Sequence, residues 1–303
     1  AASPRGRPAF LSVLSASALE QSPGEDAPTG RRDLLGLVGG SVLLSTLPRT
    51  SPAAAAAGKG TVLVVGGTGI TGLAVERQLL EDGYIVRALT RRESFRNVYG
   101  KKNTASWDQI TPRVRWDIGD LTAPETLAGK LKGIDKIVFT AGSQALDLKD
   151  PTLNRKIYAD AIGTLASIAR SEATSLSSFV LLSSTGVSGA DASRDDPNDM
   201  LVCKAEGERL LRASGLPYSI CRFSYYTGDE FDEDVPGDKG GIDITQGDPP
   251  ERGSISLPNL ALVVSKCLSD QRYNYKTFEA ADLPEGSTKR KGRWEEDMKR
   301  LRD

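Results

Sequence analysis

The glycine-rich run Gly66-Gly67-Thr68-Gly69-Ile70-Thr71-Gly72 constrains the fold of this chain more than any other segment. It follows Thr61-Val62-Leu63-Val64-Val65, a continuous apolar and β-branched stretch that is typical of a strand buried on both faces. Residues 73–82 then repeat apolar side chains at helical spacing. The order of strand, glycine turn and helix predicts a turn that accepts phosphate at the start of the helix.

Three of the glycines have distinct roles in such a turn. Gly66 permits the tight turn out of the strand, Gly69 lets the backbone approach a pyrophosphate, and Gly72 lets the helix pack against the sheet. The pyrophosphate of a dinucleotide is the ligand that this arrangement fits. The sequence therefore predicts that the whole run 66–72 binds a dinucleotide cofactor.

Strand and helix patterns alternate beyond this turn. Strands are predicted at residues 61–65, 84–90, 114–118, 136–140, 179–182, 218–221 and 276–281, and helices at 73–82, 125–131, 154–173, 203–213 and 257–268. This alternation predicts an α/β fold, a doubly wound parallel sheet covered by helices on both faces in one Rossmann domain. Residues 97–112 and 228–253 are predicted insertions.

The end of the second predicted strand indicates which cofactor is bound. An NAD enzyme places a carboxylate there to bond the ribose hydroxyls. This chain has Thr90 followed by Arg91 and Arg92. Arginine pairs with a 2′-phosphate, which a carboxylate would repel. The sequence therefore predicts NADP rather than NAD, with both arginines binding it.

Composition excludes several kinds of chemistry. The chain has no histidine, which removes Ser-His triads, histidine bases and most zinc sites. The net charge is −1, so nucleic acid is not an expected partner. The three cysteines are predicted to be reduced, buried thiols. Five acidic residues between 229 and 234 favour a solvated loop over a metal site, and we predict no metal.

From about residue 59 to 283 the chain resembles the atypical short-chain dehydrogenase/reductases, in their NAD(P)-binding, NmrA-like group. The motifs that carry this resemblance are Val65 to Gly72 for TGATGxxG, Gly119-Asp120-Leu121, Thr140-Ala141-Gly142, Asp160-Ala161-Ile162-Gly163-Thr164, Ser183-Ser184, Lys204-Ala205-Glu206, and Arg212-Ala213-Ser214-Gly215-Leu216-Pro217-Tyr218. The resemblance implies that Asp120, Leu121, Ala141 and Gly142 contact the cofactor. It also implies that Ser184 is catalytic, and that Lys204 both binds the cofactor and takes part in catalysis.

One position departs from the reductases of that superfamily. Their YxxxK motif supplies a tyrosine proton donor, but here the frame reads Met200-Leu201-Val202-Cys203-Lys204. A thioether cannot donate a proton. Tyr225 and Tyr226 are candidates for a relocated donor, although they can equally pack the loop. Two functions stay open, a reductase of an unknown small molecule and a weakened NADP(H)-binding sensor or assembly factor with a protein partner.

Both ends of the chain are predicted to lie outside the Rossmann domain of residues 59–284. Residues 1–58 carry Arg31-Arg32, an apolar run over 34–47 and an alanine-rich stretch, which resembles a bipartite plastid targeting signal. The apolar run is short for a membrane span, so no stable span is expected in the mature protein. The sequence predicts a chloroplast location, with the thylakoid lumen and the stroma both open. Residues 285–303 form a basic tail with a predicted exposed helix.

Overall fold

A computed structural model describes residues 59–91, 111–143, 150–190, 196–227, 241–249, 253–284, 287 and 293–302. They belong to one compact unit, which runs from Arg49 to Asp303. Residues 1–58, Arg92 and the five acidic residues between 229 and 234 lie outside the described residues. In the described part of the chain, no helix is both long and apolar enough to cross a bilayer.

The first strand, β1 (Thr61–Val65), explains why its sequence is apolar without interruption. Val62 and Val64 point into one core cluster, while Leu63 and Val65 point into the cluster on the opposite face. All four side chains are fully buried. A strand in the middle of a sheet that is covered on both sides has no solvent face, so alternation of apolar and polar residues is lost.

Eight strands form the main sheet in the order β3-β2-β1-β4-β5-β6-β10-β8. Neighbours pair in parallel except β8, which runs antiparallel to β10 at the edge. The predicted doubly wound parallel sheet is confirmed, with this one edge strand added. The strands after β1 are β2 (Ile85–Thr90), β3 (Arg115–Ile118), β4 (Lys136–Phe139), β5 (Ser178–Ser184), β6 (Tyr218–Phe223), β7 (Tyr226–Thr227), β8 (Ile242–Thr245), β9 (Ile255–Ser256) and β10 (Lys276–Asp282).

Helices cover both faces of this sheet. The α-helices are α1 (Ile70–Glu81), α2 (Leu153–Arg155), α3 (Ala161–Glu172), α4 (Met200–Ala213), α5 (Leu257–Ser269) and α6 (Trp294–Met298), and a π-helical turn (Lys156–Asp160) joins α2 to α3. α1 and α5 pack together over one face. The π turn, α3 and α4 pack over the other face.

Two of the predicted helices differ from the structure. Residues 125–131 do not form a helix of that length, because only a 3-10 turn forms at Pro124–Leu127. Gly129 and Gly133 adopt φ values of 76° and 70°, a left-handed conformation that ends the helical path. The predicted helix 154–173 is present but is interrupted by the π turn. Both differences come from local backbone geometry that apolar spacing does not encode.

The second predicted insertion contributes structure. β8 lies within it and closes one edge of the sheet, while β7 and β9 form a separate two-stranded parallel pair. The tail helix is present as α6, but it is not wholly exposed, since Trp294 and Met298 are buried. Glu295 pairs with Lys266 of α5 at 3.0 Å, which attaches this helix to the domain.

Candidate functional site

A cleft of about 450 Å³ opens along the carboxyl edge of the main sheet. Its walls come from the ends of β1, β2, β4, β5 and β6 and from the turns that follow them. β2 and β4 lie on opposite sides of β1, so the chain changes direction across the sheet at this point. In doubly wound folds such a switch point leaves a crevice between the loops, and that crevice is where ligands bind.

The glycine turn forms one end of the cleft. Gly66 has a φ of 89°, and a Cβ on it would lie 2.7 Å from the Cα of Ala141. A Cβ on Gly72 would overlap the carbonyl oxygen of Gly66. These two positions require glycine because β1, α1 and the β4 turn approach each other closely there.

Gly69 differs from its neighbours because its backbone is not left-handed. It is the N-cap of α1, with φ −82° and ψ 161° and no side-chain cap. A Cβ on it would have one close neighbour, the carbonyl oxygen of Gly66 at 3.2 Å. The first N–H groups of a helix have no partner within the helix, and here they face the cleft without a competing carboxylate in the first turn. This cradle fits a pyrophosphate.

The structure brings most of the predicted site residues to this cleft. Those that line it are Gly66, Thr68, Gly69, Ile70, Thr71, Arg91, Leu121, Ala141, Gly142, Ser184 and Lys204. Gly67 and Gly72 lie behind the wall, where they permit close packing. Asp120 is not in the lining, although Gly119 and Leu121 on either side of it are. Its Oδ1 accepts hydrogen bonds from the N–H and the hydroxyl of Thr122, both at 2.8 Å.

A lysine and a serine meet at the other end of the cleft. Lys204 Nζ on α4 donates a hydrogen bond to Ser184 Oγ at the end of β5, over 2.5 Å. The same ammonium lies 4.9 Å from the centre of the Tyr158 ring. Burial lowers the pKa of Lys204 to about 8, and the carboxylate of Glu208 partly opposes this shift. Lys204 is therefore mostly charged at neutral pH and close to its titration range.

Tyr158 is a cleft residue that the sequence did not reveal. It lies on the π turn, is 5% exposed and lines the cleft beside Lys204. It stands two residues before the Asp160-to-Thr164 motif, but nothing in its sequence neighbourhood distinguishes it from a core tyrosine. Ile157, Leu182 and Phe223 also line the cleft without a motif that would have identified them.

The mouth of the cleft is aromatic and open. Tyr225 and Tyr226 are 60% and 41% exposed, and both line the cleft together with Met200 and Ser224. Their backbone is held in place because β7 pairs with β9 and the N–H of Ile255 bonds to the carbonyl of Tyr225 at 3.0 Å. Both tyrosines are therefore solvent-accessible in a cleft whose lining also includes Lys204 and Ser184, and a relocated proton donor stays a prediction.

The three cysteines are buried, and the acidic groups among the described residues form no metal cluster. Cys203, Cys221 and Cys267 are free and buried, as predicted. Burial raises the pKa of Cys267 to about 12, which makes that thiol a poor nucleophile. Within the described ranges, no three histidine, cysteine, aspartate or glutamate side chains cluster to hold a metal ion.

The fold and the cleft together define an NAD(P)H-binding protein with a Rossmann domain. Comparison with protein families agrees, since the family described as NAD(P)H-binding matches residues 66–271. The chain belongs to that family, and the resemblance to NmrA-like atypical short-chain dehydrogenase/reductases is confirmed. The family is oxidoreductase-like and includes relatives of photosystem II assembly factors.

Two relatives and one solved structure are similar to this chain. Sanguinarine reductase of Eschscholzia californica is 25% identical over 266 residues, which cover 75% of this chain and 90% of that protein. The photosystem II assembly factor Ycf39 of Trieres chinensis is 31% identical over 169 residues, 55% of this chain but only 47% of that protein. The oxidoreductase ylbE from Lactococcus lactis shares the fold, with a TM-score of 0.55 at 19% identity over 74% of this chain and 91% of that one.

Proposed function

We propose that this protein is an oxidoreductase that uses NADPH in preference to NADH to reduce a small-molecule acceptor. The observation that carries this proposal is the continuity of the cleft. It runs from the glycine turn to the Lys204–Ser184 pair and stays open past Met200 and Tyr225. A protein that only binds a dinucleotide has no need for an accessible polar pair beyond the cofactor cradle.

The residues of the cleft would hold the cofactor in one orientation, with its adenine end near β2 and β3 and its nicotinamide end near Lys204. The glycine turn and the start of α1 would bind the pyrophosphate, and Leu121 would lie on the adenine side. Arg91, exposed at the end of β2, would pair with a 2′-phosphate. Ala141 and Gly142 would follow the ribose towards Lys204. A nicotinamide cofactor bound in this way supplies a hydride to an acceptor at the aromatic mouth.

The lysine and the serine would supply the proton of this two-electron reduction. Ser184 Oγ accepts a bond from Lys204 Nζ, so the serine proton is free to point at an acceptor oxygen or nitrogen. As negative charge develops on that atom, the Ser184 hydroxyl can donate its proton, and the Lys204 ammonium replaces this proton on Oγ and becomes neutral. A pKa of about 8 suits a general acid that works near neutral pH. Met200 cannot donate this proton because its thioether carries no transferable hydrogen, so Lys204 would be its source.

Cofactor binding and turnover of the full-length protein test this proposal. NADPH and NADH are titrated by fluorescence, and NADPH oxidation is then followed with a panel of quinones and aldehydes. We expect NADPH to bind more tightly, and at least one acceptor class to be reduced. Lys204→Met should abolish that reduction even at saturating cofactor, and it should also weaken cofactor binding, because Lys204 is a predicted cofactor-binding residue. Lys266→Met, on α5 and paired with Glu295, is the matched control.

A second candidate function is that of an NADP(H)-binding assembly factor. The similarity to Ycf39, whose name describes an assembly factor of photosystem II, favours it. The two functions differ in one measurement. Tight NADPH binding without turnover of any acceptor, combined with recovery of a defined protein complex through the full-length chain, would support the assembly factor.

We also propose that the protein acts in the plastid. The targeting-like features of residues 1–58 and the similarity to a photosystem II assembly factor support this location. We expect the mature protein to begin after about residue 57, which N-terminal sequencing of native material can establish. A mature end before Arg31 would contradict the targeting role. Protease protection of isolated thylakoids then separates lumen from stroma.

A further inference from the structure

Tyr158 joins two parts of the cleft that the chain keeps far apart in sequence. Its ring faces the ammonium of Lys204, with 4.9 Å from Nζ to the ring centre. Its hydroxyl oxygen accepts a hydrogen bond from the N–H of Ser143 at 2.9 Å. Ser143 follows Ala141 and Gly142, the turn after β4 that borders the cleft. One buried side chain thus touches both the lysine and this turn.

The packing of α4 against the π turn sets the first of these contacts. A Cβ on Gly207 would overlap the carbonyl oxygen of Tyr158, so the helix can approach the turn only because residue 207 is glycine. Lys204 lies three residues earlier on the same helix, on the face that looks towards the turn. The π turn itself is a feature that often occurs at functional sites, since it displaces one side chain from regular helical spacing.

A chain of hydrogen bonds holds the hydroxyl. Ser143 Oγ lies 3.2 Å from the Tyr158 hydroxyl and 2.6 Å from Asn154 Oδ1. Asn154 Nδ2 donates to the carbonyl of Asn198 at 3.0 Å. Asn198 directly precedes Asp199, the N-cap of α4. The ring is therefore fixed from both sides, by the turn after β4 and by the start of the helix that carries Lys204.

The Tyr158 ring is a significant partner of the Lys204 ammonium, because the nearby carboxylate of Glu208 is paired with Arg222. Within the described part of the chain, no carboxylate forms an ion pair with Lys204, and its recorded contacts are the Ser184 hydroxyl and the Tyr158 ring. Glu208 lies one helical turn along α4, but Arg222 from β6 binds it at two points. The face of an aromatic ring attracts a cation through its quadrupole, most strongly where water is excluded.

We propose that Tyr158 is a positioning residue. Its ring face holds the Lys204 ammonium against Ser184, and its hydroxyl fixes the ring to the turn at Ser143 through a hydrogen bond. Its importance for turnover rests on the proposed reductase function. The contact itself can be tested without turnover or cofactor. The ring stabilises the charged form of Lys204, while the hydroxyl keeps the cofactor-side turn in register with the ammonium.

The first test measures the ionisation of Lys204 in the cofactor-free, full-length protein. Lysines are labelled with acetic anhydride over a range of pH, and mass spectrometry of the peptide containing Lys204 gives the midpoint of its titration. For Tyr158→Leu we expect the Lys204 pKa to fall by about 0.4 to 1.5, the shift that a cation–π contact provides. Tyr158→Phe keeps the ring face and should leave the midpoint unchanged.

Matched variants separate the effect of the ring face from a general loss of packing. Tyr84 is a buried tyrosine whose ring faces Lys59 at 5.5 Å, and it precedes β2 at the opposite edge of the sheet from the cleft. Tyr84→Leu should therefore not move the Lys204 midpoint. Should Tyr158→Leu fail to fold by circular dichroism, Tyr158→pentafluorophenylalanine keeps the ring volume and removes its negative face, and it should lower the midpoint similarly.

The hydroxyl is tested separately. Tyr158→Phe removes the acceptor of the Ser143 N–H, and we expect NADPH affinity to fall about two- to tenfold, the effect of one lost hydrogen bond. An unchanged or raised Lys204 midpoint in folded Tyr158→Leu would overturn the role of the ring. Unchanged NADPH affinity in Tyr158→Phe would overturn that of the hydroxyl. If neither the wild-type protein nor any variant binds NADPH, the proposed function is wrong. The labelling experiment still tests the role of the Tyr158 ring, because it uses cofactor-free protein.

Discussion

Arg222 and Glu208 form a buried two-point ion pair one helical turn beyond Lys204. Arg222 Nε and Nη2 donate to the two carboxylate oxygens of Glu208 at 3.0 and 2.7 Å. Arg222 Nη1 also donates to Ser188 Oγ at 2.7 Å and lies 3.5 Å from a carboxylate oxygen of Glu279. One arginine thus links β6, α4, β10 and the turn after β5, and of these elements β6 and α4 contribute residues to the cleft.

We expect Arg222→Met to destabilise the protein strongly. The substitution leaves the buried carboxylate of Glu279 without Arg222 and leaves Glu208 with Arg212 at 2.8 Å, and breaking a buried ion pair costs about 3–5 kcal/mol. Urea unfolding followed by circular dichroism measures the free energy of unfolding. Arg209→Met is the control, because its pair with Glu206 is screened by solvent and should contribute little to stability. Equal losses in the two variants would show that the Arg222 pair is not a structural centre.

Substitution of Arg91 and Arg92 by alanine should weaken NADPH binding selectively. Arg91 lines the cleft at the end of β2, and a charge-assisted bond to a 2′-phosphate would be lost, which corresponds to about tenfold or more in affinity. NADH has no such phosphate and should bind as before. Arg77→Ala, an exposed site on α1, should affect neither cofactor. Equal loss for NADPH and NADH would remove the basis for the assigned preference.

The glycines of the turn should separate into binding and structural positions. Gly69→Val should abolish binding of both cofactors without unfolding, since residue 69 has an ordinary backbone conformation and its Cβ would extend into the pyrophosphate site. Gly66→Ala should instead destabilise the fold by about 1–3 kcal/mol, because φ is 89° and Ala141 blocks the new Cβ. Calorimetric binding and thermal unfolding distinguish them. Retained cofactor binding by Gly69→Val would mean that the glycine serves packing alone.

Turnover should depend on pH through Lys204. The proton donor is the charged form, so the rate should be constant below the pKa of about 8 and fall about tenfold per pH unit above it. Lys204→Arg, which stays protonated, should remove this alkaline decline even if the rate itself is lower. The measurement is kcat against pH with saturating cofactor and acceptor. A rate that rises through this range instead would mean that Lys204 acts as a base.

Restoring a phenol at position 200 should increase turnover. Met200 begins α4 and lines the cleft on the same helix as Lys204. Met200→Tyr should place a hydroxyl near Ser184, with a gain of up to about 10²–10⁴-fold on model quinones or aldehydes and similar cofactor affinity. Met200→Phe fills the same space without a proton and should show no gain. Fast wild-type turnover that is lost in Tyr225→Phe or Tyr226→Phe would instead identify a relocated donor.

Much of this fold could be predicted because its signals are local. The glycine turn, the apolar runs of the strands and the helical spacing each depend on residues that are close in sequence. The exceptions have physical causes. Apolar spacing does not report left-handed glycines, so it predicts a helix at residues 125–131 where only a short turn forms. β8 lies in a segment without a strong pattern of apolar residues, so the sequence does not predict it. As an edge strand it is stabilised mainly by pairing with β10.

The sequence by itself determined the strand–turn–helix cradle, the dinucleotide that fits it, and the absence of a proton-donating side chain at Met200. Only the tertiary structure decided which side chains meet Lys204. Tyr158 and Ser184 reach it from separate elements, and Arg222 of β6 pairs with Glu208 of α4. Such contacts depend on how helices cross a sheet, here on a glycine at position 207, and no short-range pattern of residues encodes that distance.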